Sequence, residues 1–335
     1  MTIKDISALT GYSVGTVSRV LNDHPNVSEK ARKAILDVVN AAGFQLNENA
    51  KQLKQQKATS ILVIVKGTSN ELFGRLLEQI QARVAEKPYP LIVDYLDEDE
   101  NEVLRAVRLC REKKPVGILF LGGNLENFRR DFAGIGMPCV LITGDASQLA
   151  LEHLSSITTD DRKAGYMAMD HLASLGHRNI AVIGGSREVS DISRIRNEGC
   201  LEACRKFGIA YDPEQDYVSG RFSYADGYQA IKTLLERGRR FTAVFAMADV
   251  MAIGAVRALR DCGLQVPGDV SVMGMDGLAI SDFTVPSLTT VRQSVEELAD
   301  RSVQILFQQL QGDVQPCHET IVPAIAHKES TRQID

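Results

Sequence analysis

Short apolar runs alternate with helical stretches from Ser60 to Asp276, and this alternation constrains the fold more than any other feature of the sequence. The runs include "SILVIV", "VGILFL", "IAVIGG" and "VSVMGMD", and stretches with helical spacing lie between them. Alternation of this kind predicts parallel sheets that are covered by helices on both faces. The strands are too many for one sheet, so two doubly wound α/β lobes are predicted. A ligand would bind where the carboxyl ends of their strands face each other.

The first 43 residues have a different pattern, which predicts three short helices. Ser13 and Ser28 are candidate N-caps of the second and third helices, and Gly11 is placed to end the first. Ile6 and Leu9 are expected to face the other two helices. Two helices joined by a short turn that contains glycine are typical of a helix-turn-helix.

The second helix, "SVGTVSRVLND", presents an outward face with little bulk. A slim face allows close approach to base edges in the DNA major groove, where Arg19 can bond guanine and Val14 can contact a thymine methyl group. Hydroxyl groups on the same face suit phosphate oxygens. The candidate DNA contacts on this helix are Ser13, Val14, Gly15, Thr16, Ser18, Arg19 and Asn22. The alternative is that this face is simply solvated.

Composition excludes several classes of protein. The net charge of −5 argues against indiscriminate nucleic-acid binding, although residues 1–58 carry eight Lys and Arg against five Asp and Glu. Six scattered cysteines have no CxxC spacing, which indicates reduced thiols rather than a disulfide framework or a metal site. The N-terminus does not have the pattern of a signal peptide, and no apolar run is long enough for a membrane helix. We expect a cytoplasmic protein without metal or cofactor.

An enzyme is disfavoured because the body lacks GxGxxG after its first strand, and lacks GxxxxGK[ST] and GxSxG. A solute-binding sensor that does not read DNA remains the alternative, because the predicted two-lobed body suits it.

Five motifs give the chain a resemblance that covers almost its whole length. They are the headpiece with "SVGTVSRVLN" and "VSEKAR", then "HLASLGHRNIAVIGG", "RIRNEG", "VPGDVSVMGMDG" and "PSLTTVRQS". In this order they resemble the lactose/galactose repressor (LacI/GalR) family of transcriptional regulators. The resemblance implies a helix-turn-helix headpiece at 1–45, a hinge at 46–58, and a body like a type I periplasmic binding protein at 59–335. Its N-lobe would comprise about 59–158 and 292–320, and its C-lobe about 159–288 and 321–335.

The resemblance changes the interpretation of the polar hinge segment. In the family this segment forms a helix on operator DNA and inserts a leucine into the minor groove, which bends the duplex. Leu53 matches that leucine and Ala50 matches the small residue one turn earlier. The family usually has Tyr-x-Pro-Asn before it, whereas this chain has "FQLN", with Leu46 in place of the proline. A solvated linker therefore remains the alternative to a hinge helix.

The resemblance also implies effector contacts in the body. Arg196 matches an arginine that holds ligand hydroxyl or carboxylate groups, Asp276 an aspartate at a strand end, and Phe222 an aromatic position that stacks on a sugar ring. The weaker matches are Asp145, Asp249 and Gln293. For the first three the alternatives are an ion pair, a turn cap and a core position.

Taken together, the resemblance implies a transcriptional repressor that binds a pseudo-palindromic operator as a homodimer. A small effector, expected to be a sugar or sugar derivative, would bind between the lobes and change operator affinity. The chain ends soon after "KEST", so no tetramerisation helix is expected.

Overall fold

The computed structural model describes residues 3–21, 27–42, 60–68, 70–312 and 315–334. Within it the chain divides into two compact units, Met1–Lys57 and Ala58–Asp335. The candidate DNA contacts Asn22, Ala50 and Leu53, and the whole of the predicted hinge at 46–58, lie outside the described residues.

The first unit contains the three predicted helices. They are α1 (Ile3–Thr10), α2 (Val14–Leu21) and α3 (Glu29–Ala41). The Ser13 hydroxyl accepts the Thr16 N–H at 3.2 Å, and the Ser28 hydroxyl accepts the Ala31 N–H at 3.4 Å, so both serines cap their helices as predicted. Gly11 follows α1 with a φ of 70°, a conformation that glycine adopts without strain.

The small core of this unit differs from the prediction at Leu9, which is 64% exposed. Ile6 is fully buried against Val17 and Ile35, and Tyr12 packs against this cluster. The expectation for Leu9 was wrong because three residues on a helix turn through about 300°, which places Ile6 and Leu9 on the same broad face but not in the same row.

In the second unit, six strands form the sheet of the N-lobe. They are β1 (Ile61–Lys66), β2 (Leu91–Leu96), β3 (Gly117–Leu121), β4 (Cys139–Ile142), β5 (Leu154–Thr159) and β11 (His318–Ile321). The helices of this lobe are α4 (Glu71–Val84), α5 (Glu102–Lys113), α6 (Leu125–Asp131) and α12 (Val295–Leu310). All strand pairs are parallel, in the order β2-β1-β3-β4-β5-β11.

Six further strands form the sheet of the C-lobe. They are β6 (Ile180–Gly184), β7 (Tyr217–Ser219), β8 (Ala243–Ala246), β9 (Ser271–Asp276), β10 (Thr289–Arg292) and β12 (Ala324–Ala326). The helices of this lobe are α7 (Asp161–Ser174), α8 (Asp191–Phe207), α9 (Pro213–Asp216), α10 (Tyr224–Glu236) and α11 (Asp249–Asp261). The order is β7-β6-β8-β9-β10-β12, and β12 pairs antiparallel.

The two sheets share one winding order. The second strand of each lobe lies on one side of the first (β2 beside β1, and β7 beside β6), and the later strands are added on the other side. Central strands such as β3 and β4 are buried along their whole length, which explains their uninterrupted apolar runs. The architecture confirms the prediction of two doubly wound lobes. It also brings the carboxyl ends of both sheets to one cleft, which is where such folds bind ligands.

The chain passes between the lobes three times, after β5, after β10 and after β11. These crossings are joined by hydrogen bonds: the Asp160 N–H donates to the Ile321 carbonyl at 2.9 Å, and the Thr159 hydroxyl donates to the Gln293 side-chain oxygen at 2.7 Å. Gln293 thus lies at the junction of the two lobes.

Two glycines allow α7 and α8 to cross at very short distance. A Cβ atom on Gly165 would lie 2.0 Å from the Arg196 carbonyl oxygen, and one on Gly199 would lie 2.0 Å from the Arg162 carbonyl oxygen. No side chain fits at either position unless the helices separate. This crossing fixes the position of α8, which carries Arg196.

We therefore expect Gly165→Ala to lower the free energy of unfolding by about 3 kcal/mol, the upper range for overpacked cores. Gly74→Ala is the matched control, because Gly74 is also helical but a Cβ atom there has no neighbour within 4 Å. That control should be neutral or stabilising by up to about 1 kcal/mol. Urea denaturation of both variants measures the difference, and equal stabilities would contradict the close crossing.

Candidate functional site

A cavity of about 490 Å³ lies in the second unit, where the loops after the strands of both sheets converge. This volume is typical of small-molecule sites. Its polar and charged lining residues are Lys66, Asn70, Glu98, Asp99, Asn124 and Thr143 from the N-lobe and Ser186, Ser190, Arg196, Ser219, Arg221, Asp226, Asp276 and Gln293 from the C-lobe and the junction. The cavity is therefore formed jointly by both lobes.

Arg196 is held in place before any ligand binds. Its Nε donates to the Asp161 carboxylate at 2.8 Å and its Nη1 donates to the Met247 carbonyl at 2.9 Å, while the residue is only 5% exposed. Within the described residues, its Nη2 has no assigned acceptor. A buried guanidinium whose other nitrogens are bonded is well suited to donate from the remaining one to a ligand oxygen.

Asp276 ends β9 and faces the same cavity. Its Oδ1 accepts from the Gln293 Nε2 at 2.8 Å. Its backbone has a φ of 117°, a conformation that residues other than glycine rarely adopt. Burial raises the pKa of Asp276, and the nearby Arg196 opposes that rise. Backbone strain and a perturbed carboxyl group at a cavity are both typical of functional residues.

Gln293 joins the ligand cavity to the lobe junction. Its side-chain oxygen accepts from the Thr159 hydroxyl and its amide nitrogen donates to Asp276, so most of its hydrogen-bonding capacity is used within the protein. Gln293 therefore has two roles in the cavity lining: it positions Asp276, and it is a candidate ligand contact.

Phe222 also lines the cavity, in the loop between β7 and α10. A Cβ atom on Gly185 would lie 3.2 Å from two carbons of the Phe222 ring, so the glycine leaves room for the ring against the end of β6. Of the six effector contacts predicted from sequence, the structure thus brings together Arg196, Phe222, Asp276 and Gln293.

Asp249 lies behind the cavity rather than in its lining. It is fully buried, and its carboxylate accepts from the Thr290 hydroxyl at 2.6 Å and from the Leu278 N–H at 2.7 Å. Gly274 makes room for it, since a Cβ atom there would lie 2.3 Å from the carboxylate. Burial and the charge of Asp276 raise the pKa of Asp249. Through these bonds, Asp249 holds the backbone that follows the end of β9.

Asp145 is exposed, accepts the Ser147 N–H at 2.9 Å and is not part of the lining. Thr143, two residues earlier, lines the cavity instead. It is 5% exposed with a φ of 68°, and among the described residues its hydroxyl has no hydrogen-bond partner. Sequence reasoning missed Thr143, although its place directly after the buried run "CVLI" marks a strand end.

The N-lobe wall of the cavity is stabilised by a buried carboxylate that was also missed. Glu102 is fully buried, pairs with the Lys66 ammonium group, and accepts from the Asn124 N–H at 2.7 Å and the Asn127 Nδ2 at 3.1 Å. These bonds fix the loop after β3 that carries Asn124 into the cavity.

The outward face of α2 in the first unit is the second candidate site. Arg19 is exposed, and Val14 at the start of the helix is 46% exposed. Ser13 and Gly15 are exposed, whereas Thr16 and Ser18 are half-buried. The Ser13 and Thr16 hydroxyls lie 2.9 Å apart and bond each other at the start of the helix. The face is as free of bulk as predicted.

Two other kinds of feature are absent from the described ranges. No cluster of three or more His, Cys, Asp or Glu residues there is arranged to hold a metal ion. No helix in the same ranges has the length and apolar character needed to cross a bilayer.

Two family models match the chain. Residues 2–47 match bacterial regulatory proteins of the lacI family, and residues 169–331 match the periplasmic binding protein-like domain. The transcriptional regulator MalR of Clostridium butyricum is 33% identical over 98% of this chain and 99% of its own length. The chain belongs to the lacI family of bacterial regulatory proteins.

Two further similar proteins support the same assignment. Catabolite control protein A of Priestia megaterium is 30% identical over 91% of both chains. The solved complex of the regulator CelR with cellobiose has a TM-score of 0.71 and 26% identity, and the alignment covers 98% of this chain and 99% of that one. These relatives are named regulators, so the chain is a DNA-binding transcriptional regulator and not an enzyme.

We expect the raised pKa of Asp249 to make the unfolding free energy depend on pH. Because the folded chain holds this proton more tightly than the unfolded chain, stability is greatest below the ordinary carboxyl pKa and falls as pH rises through the raised value. Asp249→Asn removes the buried charge; its amide oxygen can still accept from the Leu278 N–H, and its amide nitrogen can donate to the Thr290 hydroxyl oxygen in place of the bond that the carboxylate accepts. Denaturation at several pH values should show that it flattens this fall and exceeds the wild type at alkaline pH.

Asp249→Ala is the matched control, since it removes both hydrogen-bond acceptors. It should be less stable than the Asn variant by about 2 kcal/mol or more at every pH, because the Leu278 N–H and the Thr290 hydroxyl lose their partner at position 249. If the Asn variant is less stable than the wild type at alkaline pH, the buried charge of Asp249 does not cause the fall in stability with rising pH.

Proposed function

We propose that this chain represses transcription from a pseudo-palindromic operator, and that a neutral, polyhydroxylated effector in the cavity controls its affinity for that operator. It acts as a homodimer in the bacterial cytoplasm. The effector contacts are Arg196, Asp276 and Phe222, with Thr143 on the opposite wall. Gln293 and Asp249 position Asp276, and Asp145 has no direct role.

The observation that carries this proposal is the pairing of every cation in the cavity lining. Arg196 is paired with Asp161, Lys66 with Glu102, and Arg221 with acidic residues of the N-lobe. A negatively charged effector would find no unpaired cation among the described lining residues, and it would meet Glu98, Asp99, Asp226 and Asp276. The fixed lining groups that still have unused hydrogen-bond donors or acceptors favour a ligand that carries hydroxyl groups instead.

The apolar part of the lining supports a sugar. Phe73 and Phe222 come from opposite lobes, and aromatic rings among a few oriented polar groups are typical of sites that bind ring-shaped ligands. The cavity volume of about 490 Å³ suits a mono- or disaccharide. The relative CelR was solved with cellobiose.

An exposed apolar loop supports a homodimer. Phe283 is 81% exposed, Val285 is 89% exposed and Ile280 is 42% exposed, all within six residues of the C-lobe. Large apolar side chains exposed this close together in the chain are typical of a surface that a partner, such as a second copy, covers. Two headpieces related by a two-fold axis would then read the two halves of a pseudo-palindrome.

For the DNA-reading face, we expect Arg19→Ala to abolish sequence preference while weak, salt-sensitive binding persists. A guanidinium bonded to a guanine edge contributes about 1–3 kcal/mol of discrimination, whereas phosphate contacts carry no sequence information. The measurement is selection of genomic fragments by the purified chain, followed by titration of an enriched fragment and a scrambled one.

Lys33→Ala is the control for that experiment, because Lys33 is an exposed cation of α3 in the same unit. It should keep the enriched sequence. If Arg19→Ala selects the same operator as the wild type, Arg19 does not read bases. If the wild type selects no sequence with or without cell metabolites, the chain is a solute-binding sensor only.

For the effector, we expect neutral sugars to raise the melting temperature of the full chain and phosphorylated sugars to leave it unchanged. A ligand at 100 times its dissociation constant adds about 2.7 kcal/mol to the unfolding free energy, which thermal shift detects easily. The panel includes cellobiose and ribose with their phosphates. Stabilisation by the phosphorylated sugars alone would contradict a neutral effector.

Thr143→Val identifies the site of that binding. The substitution keeps the shape of the side chain and removes a hydroxyl that bonds no described protein group, so the unliganded melting temperature should not change. Affinity for the stabilising sugar should fall about tenfold, the effect of one lost hydrogen bond. Unchanged affinity would exclude Thr143 as an effector contact.

A further inference from the structure

One short segment of the C-lobe, residues 220–224, reaches across the cleft to the N-lobe; we call it the bridging segment. Its Arg221 contacts three consecutive acidic residues that follow β2, Asp97, Glu98 and Asp99, which we call the acidic loop. The Arg221 Nε lies 2.7 Å from the Glu98 carboxylate and its Nη1 lies 3.4 Å from that of Asp97, while Nη2 bonds Asp99. One guanidinium therefore binds three carboxylates of the opposite lobe.

The bridging segment makes a second contact across the cleft. The Tyr224 hydroxyl bonds the carboxylate of Glu71, the first residue of α4. Glu71 follows β1 and the acidic loop follows β2, so two adjacent loops of the N-lobe are held by one segment of the C-lobe. These contacts can form only when the lobes are close together.

The same segment also faces the cavity. Phe222 lies between Arg221 and Tyr224 in the chain, and its ring lines the cavity. The segment thus touches the ligand space with one side chain and the opposite lobe with the two that flank it. A ligand that packed on Phe222 would therefore stabilise the conformation in which Arg221 and Tyr224 reach the N-lobe.

The exposure of these ion pairs decides what they can do. The Arg221 side chain is 53% exposed and that of Asp99 is 77% exposed, so solvent and salt weaken each pair. Three such pairs on one guanidinium would bias an equilibrium between open and closed lobes without locking it. A bias of this size is what an adjustable effector response requires.

We propose that Arg221 is a positioning residue for the effector response: its contacts with the acidic loop hold the cleft partly closed before the effector arrives and so set the effector concentration that is needed. The effect on the lobes stands by itself, and the consequence for effector affinity rests on the proposed function.

The test uses a fluorescent reporter in the full chain. The sequence contains no tryptophan, so Phe222→Trp introduces a single one that faces the cavity. Its quenching by acrylamide, a neutral molecule, measures how open the cleft is. Adding Asp97→Asn and Asp99→Asn, which removes two partners of Arg221 from the opposite lobe, should raise the quenching constant about twofold. Salt at 1 M should do the same to the reporter chain, because it screens exposed pairs.

Charge reversal and its repair separate the ion pairs from a general loosening. Arg221→Glu should raise quenching at least as much, and adding Asp97→Arg and Asp99→Arg to it should restore the low value. Arg257→Glu is the control, because Arg257 is an exposed cation of the C-lobe that pairs with Asp261 on its own helix. It should leave quenching unchanged.

Unchanged quenching in the Asp97→Asn/Asp99→Asn and Arg221→Glu reporter chains, with the melting temperature preserved, would overturn the proposal. A rise in quenching in the Arg257→Glu reporter chain as large as that in the Arg221→Glu reporter chain would also overturn it. With a sugar that stabilises the chain, Arg221→Glu without the reporter should also weaken binding about two- to fivefold, because apparent affinity falls with the closed fraction. Failure of the proposed function would appear as loss of sugar or DNA binding in the wild type, and it would not alter the quenching result.

Discussion

The side chain of Gln293 connects the ligand cavity to the junction of the two lobes. It accepts from the Thr159 hydroxyl at one crossing of the chain and donates to Asp276 at the end of β9. A ligand that bonds Asp276 would therefore be linked, through one amide group, to a segment that crosses between the lobes. Because hydrogen bonds in a buried chain reinforce one another, ligand contact and lobe geometry are not independent in this fold.

The remaining groups of the cavity are arranged around that connection. Arg196 is fixed by Asp161 and by a carbonyl at the end of β8, so its free nitrogen needs no reordering when a ligand binds. Asp249 fills the space that Gly274 leaves beneath β9 and bonds the backbone just beyond Asp276. The strained backbone of Asp276 is thereby supported on both sides. Such support is what allows a residue to keep an unfavourable φ at a ligand site.

Much of this arrangement could be predicted from the sequence, because alternating strands and helices determine which loops meet. The residues at strand ends, Asp276 and Gln293, follow from that rule, and Arg196 follows from the family motif. Asp145 and Asp249 do not line the cavity, since side-chain direction beyond a strand depends on local backbone. A positive φ turns Thr143 inward, and Gly274 gives Asp249 a buried space; neither is visible in a pattern of apolar residues. In the headpiece, the exposure of Leu9 likewise could not be predicted from the pattern of apolar residues.

In the proposed function, a small molecule in the cavity changes how the headpieces bind DNA. The most direct measurement is the affinity of the full chain for its selected genomic fragment, with and without the small-molecule fraction of a bacterial extract. We expect a change of about tenfold, a typical allosteric coupling, and no change in the Asp276→Ala chain. An affinity that the extract leaves unaltered, or an equal response from the Asp276→Ala chain, would contradict the claim.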